Sequence, residues 1–247
     1  MKILVSVRSV DEALLVAQGG VDFIDLKEPG AGALGGLPID TILAIVGALR
    51  QHAPGLPISA TIGDVPTSDL PRIMACVDEV GACGVDYVKV GIDRAPQSVA
   101  VLNVLATCGW PVVPVFIADQ GFEWMHVEHA CALGFPGVMA DTADKLAGSL
   151  FDAVALPELQ RFVDTVRASG AMVGLAGALR ILHEPQLRAL APDFAGFRTA
   201  VCVGDRSSAI DPQRLLELTR LLHSHSHSHS HSHSHSHSQA IPTTLCV

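Results

Sequence analysis

The sequence predicts a single (β/α)8 barrel, and three observations predict it. Short apolar, β-branched runs recur roughly every 25 to 35 residues, eight in all. Segments of helical period separate them, which calls for a parallel sheet buried on both faces. The first turn carries no GxGxxG, which weakens an open dinucleotide-binding sheet as the alternative.

The strands are expected at Lys2–Val7, Phe23–Lys27, Pro57–Ile62, Tyr87–Val90, Pro111–Ile117, Gly137–Ala140, Ala171–Ala176 and Phe194–Arg198. Helices are expected at Val10–Gln18, stopped by Gly19-Gly20, and at Asp40–Gln51, followed by Pro54-Gly55. Further helical periods run over Leu70–Ala82, Gln97–Thr107, Pro157–Ala168 and Leu215–Leu222. One long glycine-rich loop, Gly30 to Gly36, follows the second strand.

Of the 247 residues, His223 to Ser238 is a strict His-Ser alternation that holds eight of the twelve histidines. It has no apolar face, so 223–247 is expected to be a disordered tail behind a barrel domain at 1–222. Clustered imidazoles in such a tail chelate transition metals, which keeps a metal-buffering protein as a competing reading. His52, His126, His129 and His183 form no convincing ligand set, and neither a metal nor a cofactor is expected at the barrel's site.

The core has to come from aliphatic residues: 49% of the chain is apolar but only 4% aromatic. A net charge of −9 with no basic stripe argues against nucleic acid and anionic membranes as partners. No apolar run approaches the ~18 residues of a spanning helix, and Arg8, Asp11 and Glu12 interrupt the first one. Six cysteines without a CxxC pair read as free thiols of a reducing cytosol. A cytoplasmic homo-oligomer acting on a small molecule is expected.

Only four lysines occur, against twelve arginines. Three of them, Lys27 and Lys89 on predicted strand ends and Lys145 just after the sixth strand, sit where a barrel places its chemistry. A lysine inside an apolar strand is costly unless paired, and its neutral amine forms Schiff bases with carbonyls. Asp25 and Lys27 lie two apart, so they share a face, and a carboxylate beside the amine is expected. The competing reading is a structural ion pair facing the helices. Lys89, framed by Val88 and Val90, is expected as a second amine facing the first, or else as a lysine reaching for the rim. Asp141 and Thr142 end the sixth strand ahead of Lys145; they suit acid–base work, or else cap a helix. Gly177 and Ala178 after the seventh strand, and Arg198, Thr199, Ala200, Gly204 and Asp205 after the eighth, are expected to bind phosphate, as those loops often do in barrels.

These segments resemble a known family. Asp25-Leu26-Lys27-Glu28-Pro29 with Gly32-Ala33-Leu34-Gly35, Ser59 to Pro66, Asp86 to Gly91, Asp141-Thr142-Ala143, Leu175-Ala176-Gly177 and Gly204-Asp205-Arg206 are similar, in order, to the (5-formylfuran-3-yl)methyl phosphate synthases. The resemblance implies a (β/α)8 lyase that condenses two glyceraldehyde 3-phosphates, with loss of phosphate and water, for methanofuran-type carriers. It implies a Schiff-base lysine at Lys27, a proton-accepting lysine at Lys89, and support from Asp25, Asp141 and Lys145. Another class I aldolase acting on a sugar phosphate would use the same Lys27 and release a different product.

Overall fold

The computed structural model describes residues 1–144 and 147–223. Eight parallel strands close into one barrel in chain order: β1 Lys2–Val7, β2 Phe23–Leu26, β3 Ile58–Thr61, β4 Tyr87–Ile92, β5 Val112–Ile117, β6 Gly137–Asp141, β7 Met172–Leu175 and β8 Phe194–Phe197. β1 pairs with both β2 and β8, so no edge is left open. All eight expected strands are present.

The crossover helices are α1 Val10–Gln18, α2 Ile39–His52, α3 Leu70–Gly81, α4 Ser98–Leu105, α5 Trp124–Ala132, α6 Leu150–Ala153, α7 Leu156–Ala168, α8 Glu184–Leu190 and α9 Pro212–His223. α5, α6 and α8 were not expected. α5 has no side-chain cap and buries His126, so its apolar stripe is broken. α6 is a single turn, and α8 is a seven-residue helix entered from a 3-10 turn at Ile181–His183. The last helix, expected over Leu215–Leu222, runs over Pro212–His223, and the His223 ring nitrogen lies 3.1 Å from the Asp22 carboxylate. The rest of the His-Ser segment, whose disorder was expected, lies outside the described residues.

Side chains alternate along each strand between two apolar layers. The outward set packs under the helices, with Ile24, Ile58, Val90, Val138 and Val173 among its members. The inward set fills the barrel itself with Leu4, Phe23, Val113, Val115, Met139 and Phe194. A repeated dipeptide organises the N-terminal end. Asp22-Phe23, Asp86-Tyr87 and Asp193-Phe194 open β2, β4 and β8. The rings of Phe23 and Phe194 meet inside, 5.6 Å apart, and Tyr87 packs against the same cluster. The three aspartates accept backbone N–H bonds from Ile3 (2.7 Å), Ile58 (2.7 Å) and Val173 (2.8 Å) on the preceding strand. Amides at this end of a parallel ladder lack strand partners, and each carboxylate supplies one.

No described helix is long and apolar enough to cross a membrane.

Candidate active site

The polar end of the barrel interior begins where the apolar filling stops. Ser6, Asp25 and Ser59 are register partners on β1, β2 and β3, all in the inward phase. Asp25 lies buried among them. Its Oδ1 accepts from Ser59 Oγ at 2.7 Å and from Lys89 Nζ at 2.8 Å, and its Oδ2 accepts from Ser6 Oγ at 3.1 Å. Burial alone would raise this carboxyl. The Lys89 and Lys27 ammoniums and the hydrogen bonds from Lys89 and Ser59 outweigh it and hold Asp25 below the ordinary carboxylate range.

Lys27 follows β2, and its own N–H still donates to Val7 O at 3.0 Å, so it keeps the inward phase. Two residues of strand rise roughly 6.5 Å, which lifts Lys27 one layer nearer the mouth than Asp25. Its Nζ reaches Asp141 Oδ2 at 3.3 Å, a partner 114 residues away. Asp141 ends β6 and also accepts the Thr142 N–H at 2.8 Å. The expected neighbours Asp25 and Lys27 therefore do not pair with each other. Barrel tilt crosses the partners, giving Lys89 with Asp25 low in the barrel and Lys27 with Asp141 above them.

Both pairs line one cavity of about 580 Å3, open mouth included, at the C-terminal end of the barrel. Leu34 forms part of its wall, delivered by the glycine-rich loop. That loop is tied down at several points: Glu28 N–H to Gly35 O at 2.8 Å, Thr61 Oγ1 to Gly35 O at 3.0 Å and Leu34 N–H to Asp64 Oδ1 at 2.9 Å. Gly32 turns with φ +104° against the Asp64 carboxylate, where a Cβ would collide. Gly91 on β4 leaves the space that Leu34 fills; a Cβ there would lie 2.9 Å from Leu34 Cδ1. Leu34 is thus an apolar wall brought into the barrel mouth from outside the sheet.

The opposite wall comes from β7 and β8. Ala178 is left-handed, at φ 46°, directly after Gly177. That conformation costs an L-residue ~1–2 kcal/mol and persists where the surroundings fix it. Arg198 continues the inward phase of β8, yet all five of its N–H groups are used within the protein. Nε donates to Arg206 O, Nη1 to Ser6 O and Glu12, and Nη2 to Glu12 and Ser208 O, at 2.6 to 3.1 Å. Arg198 is a staple between β8, α1 and the last loop.

The sequence profile described as 4-HFC-P synthase matches residues 3–219, almost the whole described chain. The chain belongs to this family. It is similar to the (5-formylfuran-3-yl)methyl phosphate synthase of Archaeoglobus fulgidus, 34% identical over 241 residues that cover 90% of this chain and 100% of that one. It is also 32% identical to the enzyme of that name from Methanosarcina mazei, over 88% and 97% of the two chains. Solved barrels share the fold at low identity. Phosphoribosyl anthranilate isomerase from Thermus thermophilus superposes with TM-score 0.63 at 16% identity, over 91% of this chain and 99% of that one. The 3-hexulose-6-phosphate synthase of Salmonella typhimurium gives 0.60 at 15%, over 91% and 100%.

In this 4-HFC-P synthase family member, the residues singled out from the sequence divide into three groups. Lys27, Lys89, Asp25, Asp141, Gly177, Ala178, Arg198 and Thr199 line the cavity together. Ala200 and Gly204 border a separate shallow groove with Arg180 and Arg214, which Thr199 also touches. Asp205 turns its own loop instead, accepting from Ser207 N–H at 2.8 Å and Ser208 Oγ at 3.2 Å. Lys145 lies outside the described residues. Ser6, Ser59, Leu34 and Arg206 were not among the expected site residues, although Ser59, Leu34 and Arg206 lie in the segments that carry the resemblance. The two serines had a signal: each is a hydroxyl at an inward position of a largely apolar strand. Among the described residues, no group of three or more His, Cys, Asp or Glu side chains is placed to hold a metal ion.

Proposed function

We propose that this protein is a (5-formylfuran-3-yl)methyl phosphate synthase that joins two glyceraldehyde 3-phosphates through an imine on Lys27, with loss of phosphate and water. The observation that carries the reading is the pair of crossed, buried lysine–aspartate contacts at the closed end of one cavity. A catalyst for aldehyde condensation needs one amine to form the imine and a second group to move protons beside it.

The geometry suggests how the roles divide. Lys27 is nearer the mouth and attacks the aldehyde carbon of the first triose phosphate. Asp141, its partner, takes the proton the amine sheds and returns it to the carbinolamine hydroxyl, which leaves as water. The protonated imine draws electrons from the adjacent carbon; Lys89 first gives its own proton to a departing oxygen and, as the neutral amine, then takes up the proton released at that carbon. Asp25 remains ionised throughout. Three donors hold it, so it serves as a fixed negative charge. The enamine attacks the second aldehyde, and Leu34 closes one side of the cavity against water. The backbone N–H groups of Gly177 and Ala178 have no acceptor among the described residues and are available to the retained phosphate.

The names of the relatives support this product, since the chain matches them over nearly their full length. Incubation with glyceraldehyde 3-phosphate alone is expected to release inorganic phosphate and an ultraviolet-absorbing furan aldehyde. Borohydride is expected to trap the triose on Lys27. Trapping on Lys27 without furan would favour another class I aldolase acting on a sugar phosphate. No adduct on Lys27 would remove the imine from the mechanism.

A further inference from the structure

Among the described residues four cationic side chains line the cavity, and three are already committed. Lys27 meets Asp141, Lys89 meets Asp25, and Arg198 spends all five donors inside the protein. The fourth, Arg206, makes a single hydrogen bond, from Nη2 to the carbonyl of Gly32 at 3.3 Å. Among the described residues no carboxylate pairs with it. Burial pulls its guanidinium below the ordinary value, with Arg198 adding to the effect, and the attraction of Asp141, Asp64 and Glu28 does not make good the loss. A partly desolvated guanidinium with four unused N–H groups is an incomplete ion pair, and a planar fork of this kind matches phosphate oxygens.

Its position is as informative as its charge. Arg206 stands on the loop after β8 and touches Gly32 on the loop after β2, so it bridges the cavity mouth. Gly177 and Ala178, whose backbone N–H groups have no acceptor among the described residues, border the same cavity. We propose that Arg206 grips the phosphate of the triose substrate and makes the site selective for phosphorylated aldehydes. This deepens the function proposed above and rests on it for the substrate class. The phosphate takes the place of the missing carboxylate, and the contact with Gly32 keeps the guanidinium over the mouth until it arrives. Arg198, the arginine a sequence reader would choose, holds the loop that presents Arg206: its Nε donates to the Arg206 carbonyl.

The test compares Arg206→Ala and Arg206→Lys with the wild type on two aldehydes, glyceraldehyde 3-phosphate and unphosphorylated glyceraldehyde, by the rate of borohydride trapping. Arg206→Ala is expected to slow trapping of the phosphorylated aldehyde about 10²-fold, the scale of one lost charge-assisted contact. Trapping of glyceraldehyde should stay unchanged, and Arg206→Lys should recover part of the loss through charge alone. Equal losses on both aldehydes, or none on either, would overturn the proposal. Calorimetric titration with inorganic phosphate separates this from failure of the imine chemistry. If the wild type traps neither aldehyde but binds phosphate, and Arg206→Ala does not, the imine reading falls and the phosphate grip stands. Equal phosphate binding by wild type and Arg206→Ala overturns the grip.

Discussion

Aspartates stand at both ends of this barrel and do opposite work. At the N-terminal end Asp22, Asp86 and Asp193 accept backbone amides and hold neighbouring strands in register. At the C-terminal end Asp25 and Asp141 accept lysine ammoniums and hold charge inside the cavity. The first set meets donors that every peptide carries, so its members fit wherever a strand begins. The second set meets lysines, of which the described chain holds three, Lys2, Lys27 and Lys89, and only the last two line the cavity. Position along the strand, not residue type, separates stability from chemistry.

Substitutions can break that contrast, most strongly at the amine. Lys27→Arg keeps a charge near Asp141 but cannot form an imine, so turnover is expected to fall about 10⁴-fold or more with little change in melting temperature. Lys89→Ala does two kinds of damage. It removes the proposed proton carrier, expected to cost about 10²–10⁴-fold in turnover. It also leaves Asp25 buried without its cation, which costs about 3–5 kcal/mol in denaturant unfolding. Asp141→Asn keeps the shape and loses the base; a fall of about 10²-fold in the rate of borohydride trapping is expected, with folding intact.

Ser59→Ala is expected to cost about 1–2 kcal/mol and to shift pH dependence rather than abolish activity. Asp25 is held below its ordinary value of 3.8. Its stabilising contribution is therefore complete above that value and disappears as pH falls through the lower folded-state value. Removing one donor raises the folded-state value. Acid unfolding of Ser59→Ala, followed by circular dichroism, should begin at higher pH than in the wild type. At the other end of the barrel, Asp86→Ala should cost about 1 kcal/mol and leave kcat and KM unchanged. A loss of turnover there would erase the distinction between the two ends.

The fold was legible because β-branched runs buried on both faces look like little else, and every strand followed from them. The inward phase of Asp25, Lys27 and Lys89 was legible for the same reason, since alternation along a strand is a local property. The partners were not. Lys27 meets Asp141 through the tilt of a closed sheet, and no local pattern encodes contact across 114 residues. The weight given to Arg198 over Arg206 has a similar origin. A sequence shows a cation at a strand end but not the main-chain carbonyls that consume its donors. The short helices escaped because a seven-residue segment such as α8 has too few turns to display a period.

The Arg198 staple also bears on how the chain reaches this state during synthesis. Its guanidinium joins residues 186 and 192 positions apart, Glu12 and Ser6, to a loop near the end of the described chain. Ser6 is also a donor to Asp25. A nascent chain emerging from its amino terminus carries Lys27 and Lys89 early, yet it cannot seat Ser6, close the ring or present Arg206 until β8 has arrived. Contacts this distant form late because their loop entropy is met last. The amine proposed to form the imine is thus made long before the cavity that encloses it, and a nascent chain stalled before β8 would leave Lys27 outside that cavity.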